Sequence, residues 1–478
     1  MPKILGFAPD ADPFTPGVLV DCDNLIPTQR GFKGSESPAP IGVSALSGEC
    51  KGASRVIKLD ASTRLLAGTD AALYEWSSGS WSDVSDTGGY TLGSEDGWQF
   101  EQFGNATIAA AKSETLQAST TGAFAAISGA PKAAHVAISN GFVVVANYDA
   151  GTDTPNGWHT SALRDHTDWT PSIATGSQNG LFVETPGPVR ALKALSDYCI
   201  AYKERSIYVG SYIGPLWRWD LASAEFGAAS PGCVVKTESA HIVMGRDDFY
   251  VFDGTRPVPI GQGVREWFFK TEIDREYLFR VQSLHDQSGK TVRWFYPSRA
   301  SGGSLDRWIA YNYETQRWGK GALPVEVTVQ WASGGLTIDD LATLSATIDG
   351  LPDIPYDSPF WTSSDEIPAV VNTSHVVQAL QGDSTGLSIT TGDVGADDSY
   401  TLIQRVRVRW MQKPTSATLT HYYRDDLDDD LVIGATVAES DGNFDFLWSS
   451  RWHRARITAV GGCEFSDVYV KAAPESDR

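Results

Sequence analysis

The feature that most constrains this chain is a loose repeat: an apolar strand, a charged or glycine-bearing turn, an aromatic strand and then a tryptophan. Segment 64–85, RLLAGTDAALYEWSSGSWSDVS, shows it, with Thr69-Asp70 as a candidate two-residue turn between strands of period two. The same grammar returns at 135–147, 200–214, 241–261 and 292–320, at intervals of about 40 to 70 residues. Repeats of that length, made of several short antiparallel strands, are the mark of propeller blades, each of which needs its neighbours to bury its faces. The spacing predicts an all-β chain whose main body is a β-propeller of five to seven blades over residues 41–400. A set of β-sandwiches has the same strand content and is the competing arrangement.

Outside the repeats, residues 1–40 are rich in proline and poor in apolar alternation, so they predict an extended N-terminal arm. Segment 263–284 predicts a helical interlude, with Val264, Trp267, Phe268 and Leu278 at helical spacings and Asp274 as a cap. Residues 401–478 return to strands, a C-terminal β element packed on or closing the propeller. Sixteen tryptophans, 46 glycines and 24 prolines against three methionines fit short aromatic strands joined by many turns. Trp76, Trp81, Tyr208, Tyr250, Phe252, Trp294, Trp308 and Trp318 are the expected blade-packing aromatics.

No run approaches the roughly 20 apolar residues of a membrane-spanning helix, and the first residues do not read as a secretory leader. The expectation is synthesis in a cytoplasm. Cys22, Cys50, Cys199, Cys233 and Cys463 are an odd, dispersed set without a Cys-x-x-Cys pair, which argues against a disulfide framework and a zinc site. The net charge of −21 opposes wrapping of nucleic acid on a basic surface but not DNA passing nearby.

No catalytic motif is present. The eight histidines include no His-Glu-x-x-His pair, and neither Gly-x-Ser-x-Gly nor a phosphate-binding Gly-x-x-x-x-Gly-Lys loop occurs. No catalytic residue, metal ligand or cofactor is therefore expected. The enzymatic rival is a propeller glycosidase, or a carbohydrate-binding module of a tail or cell surface. It would need two carboxylates flanking a sugar bond, and the Ser-x-Asp-x-Gly-x-Thr-Trp box of sialidase-type blades is missing. A third class is a generic β-rich scaffold of a cellular complex.

Charge is unevenly placed. Residues 321–404 hold twelve Asp and Glu and no Lys or Arg. Asp339, Asp340, Asp349, Asp353, Asp357, Asp365 and Glu366 lie in 28 of those residues, either as a solvated surface or as a wall that faces DNA without gripping it. Asp425, Asp426, Asp428, Asp429 and Asp430 lack the alternation of a calcium loop and predict an exposed hairpin turn. Arg405, Arg407 and Arg409 alternate with Val406 and Val408, so one strand face carries three guanidinium groups. That row would grip a carboxylate partner, or pair within its own sheet, for instance with the Asp425–Asp430 hairpin. Arg451, Arg454 and Arg456 pose the same choice.

Several segments together resemble the tail-hub, or tail-nozzle, family of short-tailed bacteriophages, also known for stabilising packaged DNA. They are DCDNLIPTQRGFKGSESP at 21–38; IAYKERSIYVGSYIG at 200–214; the 226–268 stretch with its Gly-Cys turn, Tyr-x-Phe-Asp-Gly and Pro-Ile-Gly; YNYETQRWG at 311–319; the Asp- and Pro-rich 337–361; and SRWHRARITAV at 450–460. The rest of the N-terminal arm and residues 90–130 match nothing in it. The resemblance implies a structural virion protein in the phage tail, assembled in the host cytoplasm into a homohexameric ring below portal and adaptor proteins. Such a ring extends the DNA channel, retains the genome and carries fibre, spike, plug or needle proteins. It carries over no catalytic residue.

Overall fold

The computed structural model describes residues 5–60, 62–77, 79–331, 345, 347–351, 353–354 and 366–475. Among them, strands form seven blades, each of four antiparallel strands, and one β-sandwich. Blade 1 holds Gly52–Ile57, Thr63–Gly68, Leu73–Ser77 and Ser80–Asp83; blade 2 holds Gln99–Phe103, Ala106–Ala111, Glu114–Ser119 and Ala125–Ala126. Blade 3 holds Lys132–Ser139, Phe142–Asp149, Asp153–Thr160 and Asn179–Leu181, and joins blade 2 through a single pair, Thr115 with Lys132. Blade 4 holds Val189–Leu195, Tyr198–Lys203, Ile207–Ile213 and Leu216–Ser223; blade 5 holds Val234–Lys236, His241–Met244, Phe249–Phe252 and Pro257–Pro259. Blade 6 holds Gln282–Asp286, Thr291–Pro297, Leu305–Asn312 and Arg317–Val325.

Blade 7 is built from both parts of the chain: Val327–Trp331, Ile367–Val371 and Val377–Gly382 accept Ser37–Pro40 as the outer strand. Each first, inner strand touches that of the next blade, and that of blade 7 touches that of blade 1, so the ring is closed. Closure fixes first and last blades together and leaves no open end to the ring. The blade-spaced repeat thus corresponds to a seven-bladed β-propeller rather than to separate sandwiches.

Why the aromatic repeat reads as it does follows from the layers. Second strands have a neighbouring blade on both faces, and all residues of Ala106–Ala111 and Thr291–Pro297 are buried. Outer strands such as Ser80–Asp83 and Leu216–Ser223 are largely exposed. Of the eight expected blade aromatics, Tyr208, Tyr250, Phe252, Trp294, Trp308 and Trp318 are buried. Trp76 and Trp81 are half-buried because they face each other across the two outer strands of blade 1, where only one side is covered. Trp318 packs on Tyr311, Phe249 and Trp294, with ring centroids 4.5, 4.7 and 6.3 Å away. Trp318→Ala is expected to lower stability by about 3 to 5 kcal/mol, as for other buried tryptophans; an unchanged urea midpoint would contradict this packing.

The sandwich corrects two boundaries. Of the expected extended N-terminal arm, residues 5–40 are instead strands and turns built into the fold. Gly6–Phe7 and Val18–Asp23 join Gly386–Thr391, Val394–Gly395, Trp452–Val460, Ser416–Arg424 and Val432–Ala438 in one sheet. Leu25–Pro27 and Phe32–Gly34 join Glu464–Glu475, Tyr400–Gln412 and Asn443–Ser450 in the other. Phe7, Leu19, Leu25 and Phe32 are at most 1% exposed, and Phe32 stacks on Phe465 at 5.6 Å. Prolines hid these strands because they punctuate short edge segments, whose unpaired N–H positions tolerate them. Removing residues 1–20 would therefore open a core rather than release a linker. The C-terminal strands form this sandwich from about residue 386, and closing the propeller falls to Ser37–Pro40.

The sandwich lies against the outer strand of blade 6. Gly319 sits where an added Cβ would meet the Leu25 carbonyl oxygen at 2.0 Å, so only glycine allows the strands this close. Lys320 pairs with Asp21 at 2.9 Å, and one buried cluster runs from Phe249 and Trp294 through Phe7 to Ile457 and Phe465. Between blades 5 and 6 the predicted helical interlude is a chain of short turns, Arg265–Trp267, Phe268–Glu272 and Arg275–Arg280. The Asp274 carboxylate accepts the Glu276 N–H at 3.1 Å, as the cap expectation requires. The turn in blade 1 spans Thr69–Ala72, two residues longer than Thr69-Asp70, with the Thr69 N–H donating to the Ala72 carbonyl.

Candidate functional site

Where the seven inner strands begin, their ends surround a polar cavity of about 640 Å³ at the mouth of the propeller channel. Alternation along each strand puts one set of side chains into the channel and the other between blades. Five carboxylates at this mouth, among them Glu49, Asp96 and Glu101, face five Lys or Arg, among them Lys112, Arg190 and Lys193. The wall is electrically balanced, so the net charge of the chain resides elsewhere. Burial raises the Glu101 carboxyl above its usual range, against the pull of Lys193 and Lys236.

Buried polar side chains of the propeller are committed to joining blades. His135 in blade 3 accepts a hydrogen bond from Gln99 Nε2 of blade 2 at Nδ1, 3.0 Å, and donates from Nε2 to the Val189 carbonyl of blade 4, 3.1 Å. Tyr202 of blade 4 donates to His241 Nδ1 of blade 5 at 2.9 Å. Buried Arg64 of blade 1 reaches Glu75 in its own blade at 2.8 Å and Thr107, Ser119 and Gly122 across in blade 2. Glu326, ahead of blade 7, accepts the Cys50 N–H at 2.9 Å and pairs with His375 at 2.7 Å, which clasps the last blade to the first. Buried Lys203 donates to the Phe182 and Thr185 carbonyls. These groups are spent on cohesion, and burial holds the His135 and His241 imidazoles well below their usual range.

Of the acidic residues singled out in the sequence, Asp339, Asp340, Asp357 and Asp365 lie outside the described residues. Asp349 and Asp353 are exposed. Glu366 is not without a cation: Arg55 on the inner strand of blade 1 holds it at 2.8 Å. That partner sits 311 positions away and only blade closure brings it near.

The arginine row is displayed as the alternation predicts. Arg405, Arg407 and Arg409 are exposed while Val406 and Val408 are buried. Arg405 pairs with Asp445 on the neighbouring strand, not with the Asp425–Asp430 hairpin. The hairpin tip is exposed, and among the described residues no group of His, Cys, Asp and Glu is arranged to hold a metal ion.

Sequence reasoning missed a buried triad. Asp393, in the loop after Gly386–Thr391, has a fully buried carboxylate that receives Arg454 Nε and Nη2 at 2.8 and 3.0 Å and Arg424 Nη2 at 2.7 Å. Arg454 was visible as half of an alternating pair; its partner, 61 residues distant, was not. In the same sheet His421 Nε2 donates to His453 Nδ1 at 2.9 Å, and His453 Nε2 donates to the Thr401 carbonyl at 2.7 Å.

These observations define the class: a seven-bladed β-propeller carrying a two-sheet β-sandwich sewn from both ends of the described chain. Among solved structures, the chain is similar to the WD40 domain of Neurospora crassa Pan2, at 9% identity and a TM-score of 0.39, covering 70% of this chain and 89% of that one. No family model and no curated protein matches the sequence. No helix of the described residues is long and apolar enough to cross a membrane.

Proposed function

We propose that this protein is a structural component of a short-tailed phage tail, a hub or nozzle whose copies form a homohexameric ring beneath portal and adaptor proteins. The ring extends the DNA path, helps retain the packaged genome and carries distal fibre, spike, plug or needle proteins. The observation that carries this reading is where the resembling segments fall. Residues 200–214 are strands of blade 4, 226–268 enclose blade 5, 311–319 form a hairpin of blade 6, and 450–460 is a central strand of the sandwich.

Rigidity fits the role. Blades clasped by Glu326, Arg64 and the buried histidines make a stiff wedge, and wedges repeat well about a closed axis. An overall charge of −21 opposes adhesion of the phosphate backbone, so DNA would pass through the ring without sticking. Asp349 and Asp353 are exposed and available to face that path.

Electron microscopy of the purified full chain tests the reading. Rings with a central hole are expected; particles that stay single wedges at every concentration would overturn it.

A further inference from the structure

One sheet face is out of keeping with so acidic a protein. On the outer face of the Tyr400–Gln412 sheet, Arg405 faces Asp445 and Lys471, Arg407 faces Asn443 and Tyr469, and Arg409 faces Asp467. Four cations thus meet two carboxylates, and Arg407 and Arg409 make no ion pair with a described residue. Apolar groups are interleaved: Leu447 is 72% exposed, and Met411 and Tyr469 stand open at the same face. Desolvating such a mixed basic and apolar patch is favourable only against a surface that supplies both carboxylates and apolar area.

The same sandwich displays that complement. The turn between Ser416–Arg424 and Val432–Ala438 projects Asp426, Asp428, Asp429 and Asp430, all exposed. The next strand begins with Val432 and Ile433, 49% and 64% exposed, on the unpaired edge of its sheet. Within one copy the two patches are held apart. Asp425 anchors the hairpin to Ser450 at 2.6 Å, and Ser450 pairs with Thr401 at the far end of the arginine strand. From Thr401 to Arg409 an extended strand covers about 27 Å, and Arg405 is already taken by Asp445.

We infer that the acidic Asp426–Asp430 hairpin of one copy docks on the Arg407–Arg409 face of the next, with Val432 and Ile433 covering Tyr469 and Met411. Two different patches make a head-to-tail contact, the kind that builds a ring where its rotation divides a full turn. The inference rests on the ring reading above and names the surfaces that would build it.

Charge reversal tests it in the full chain. Arg407→Glu with Arg409→Glu in one variant, and Asp428→Lys with Asp429→Lys in another, should each keep the wild-type melting midpoint. Each should weaken assembly, read by mass photometry, at least about tenfold, because like charges then oppose across the contact. Equal mixing of the two should restore rings: wild-type hairpin meets wild-type face at one contact, and reversed meets reversed at the other. Should a double variant not fold, Lys471→Glu with Arg407→Gln asks the same question with milder changes. Wild-type rings that tolerate every variant remove this contact and leave the ring reading standing. A wild-type chain that never assembles removes both, and rings that form in the separate variants but not in the mixture overturn the pairing.

Discussion

Replacing Asp393 with Ala is expected to lower the free energy of unfolding by about 3 to 5 kcal/mol, the range for removing one partner of a buried ion pair. Its carboxylate is fully enclosed and receives three charge-assisted hydrogen bonds from Arg424 and Arg454, whose side chains are only 15% and 21% exposed. Truncation leaves two guanidinium groups facing each other without a counter-ion. It also disturbs a junction: the Asp393 N–H donates to the Pro13 carbonyl, and the Gly392 N–H donates to the Val18 carbonyl. The N-terminal strand is thereby tied to the C-terminal sheet. Asp393→Asn, which keeps an acceptor oxygen but not the charge, should fall between wild type and Ala. Urea unfolding reads the series, and a shift below about 1 kcal/mol for Asp393→Ala would show that the triad is held by its sheet rather than the reverse.

Acid should destabilise the fold well before ordinary carboxylates titrate. Burial pushes the imidazole of His135 down to about 3 and those of His159, His241 and His421 down to about 4. An unfolded chain has histidines near 6.5. Between about pH 6.5 and 4 the unfolded state therefore binds protons that the folded state refuses, and stability falls as pH falls. Each such group costs up to about 1.4 kcal/mol per pH unit, so the four together remove on the order of 5 kcal/mol by pH 5 after allowance for partial shifts. Glu101, Glu326 and Asp248 act in the opposite sense, because burial raises their carboxyls and the folded state binds those protons more readily. Glu36, which Arg293 and Lys33 hold down at about 2 despite its burial, adds a further loss below its ordinary range. Unfolding midpoints at pH 7.5 and 5.0 measure the balance. A flat profile across that interval would show that the buried histidines are hydrated and free to charge.

Both predictions depend on side chains whose type is plain in the sequence and whose burial is not. His135 sits in the strand KAAHVAIS, where alternation already puts it on a blade face. Its neutrality comes from burial, which outweighs the pull of the Val189 carbonyl toward the charged form, while Gln99 on the other side fixes the tautomer. No local pattern encodes those partners, since they belong to other blades.

What the sequence determined by itself is what depends on near neighbours in the chain. Period-two alternation set the strands and sent Arg405, Arg407 and Arg409 outward with Val406 and Val408 inward. The blade-length repeat set the propeller, because a four-stranded blade is completed within about 40 to 70 residues. Asp274 capped its turn because a cap acts over two residues. Tertiary structure alone decided what long loops close. Ser37–Pro40 completes blade 7 some 340 residues from its partner strand, and Phe7 to Phe32 enter a core shared by propeller residues of 191–318 and sandwich residues after 386. Arg55 finds Glu366, Asp393 finds Arg454, and Arg405 finds Asp445 rather than the nearer acidic hairpin. The physical reason is that strand pairing and ion pairing are specified by register and closure in space. A chain shows its register only once every blade has found the next.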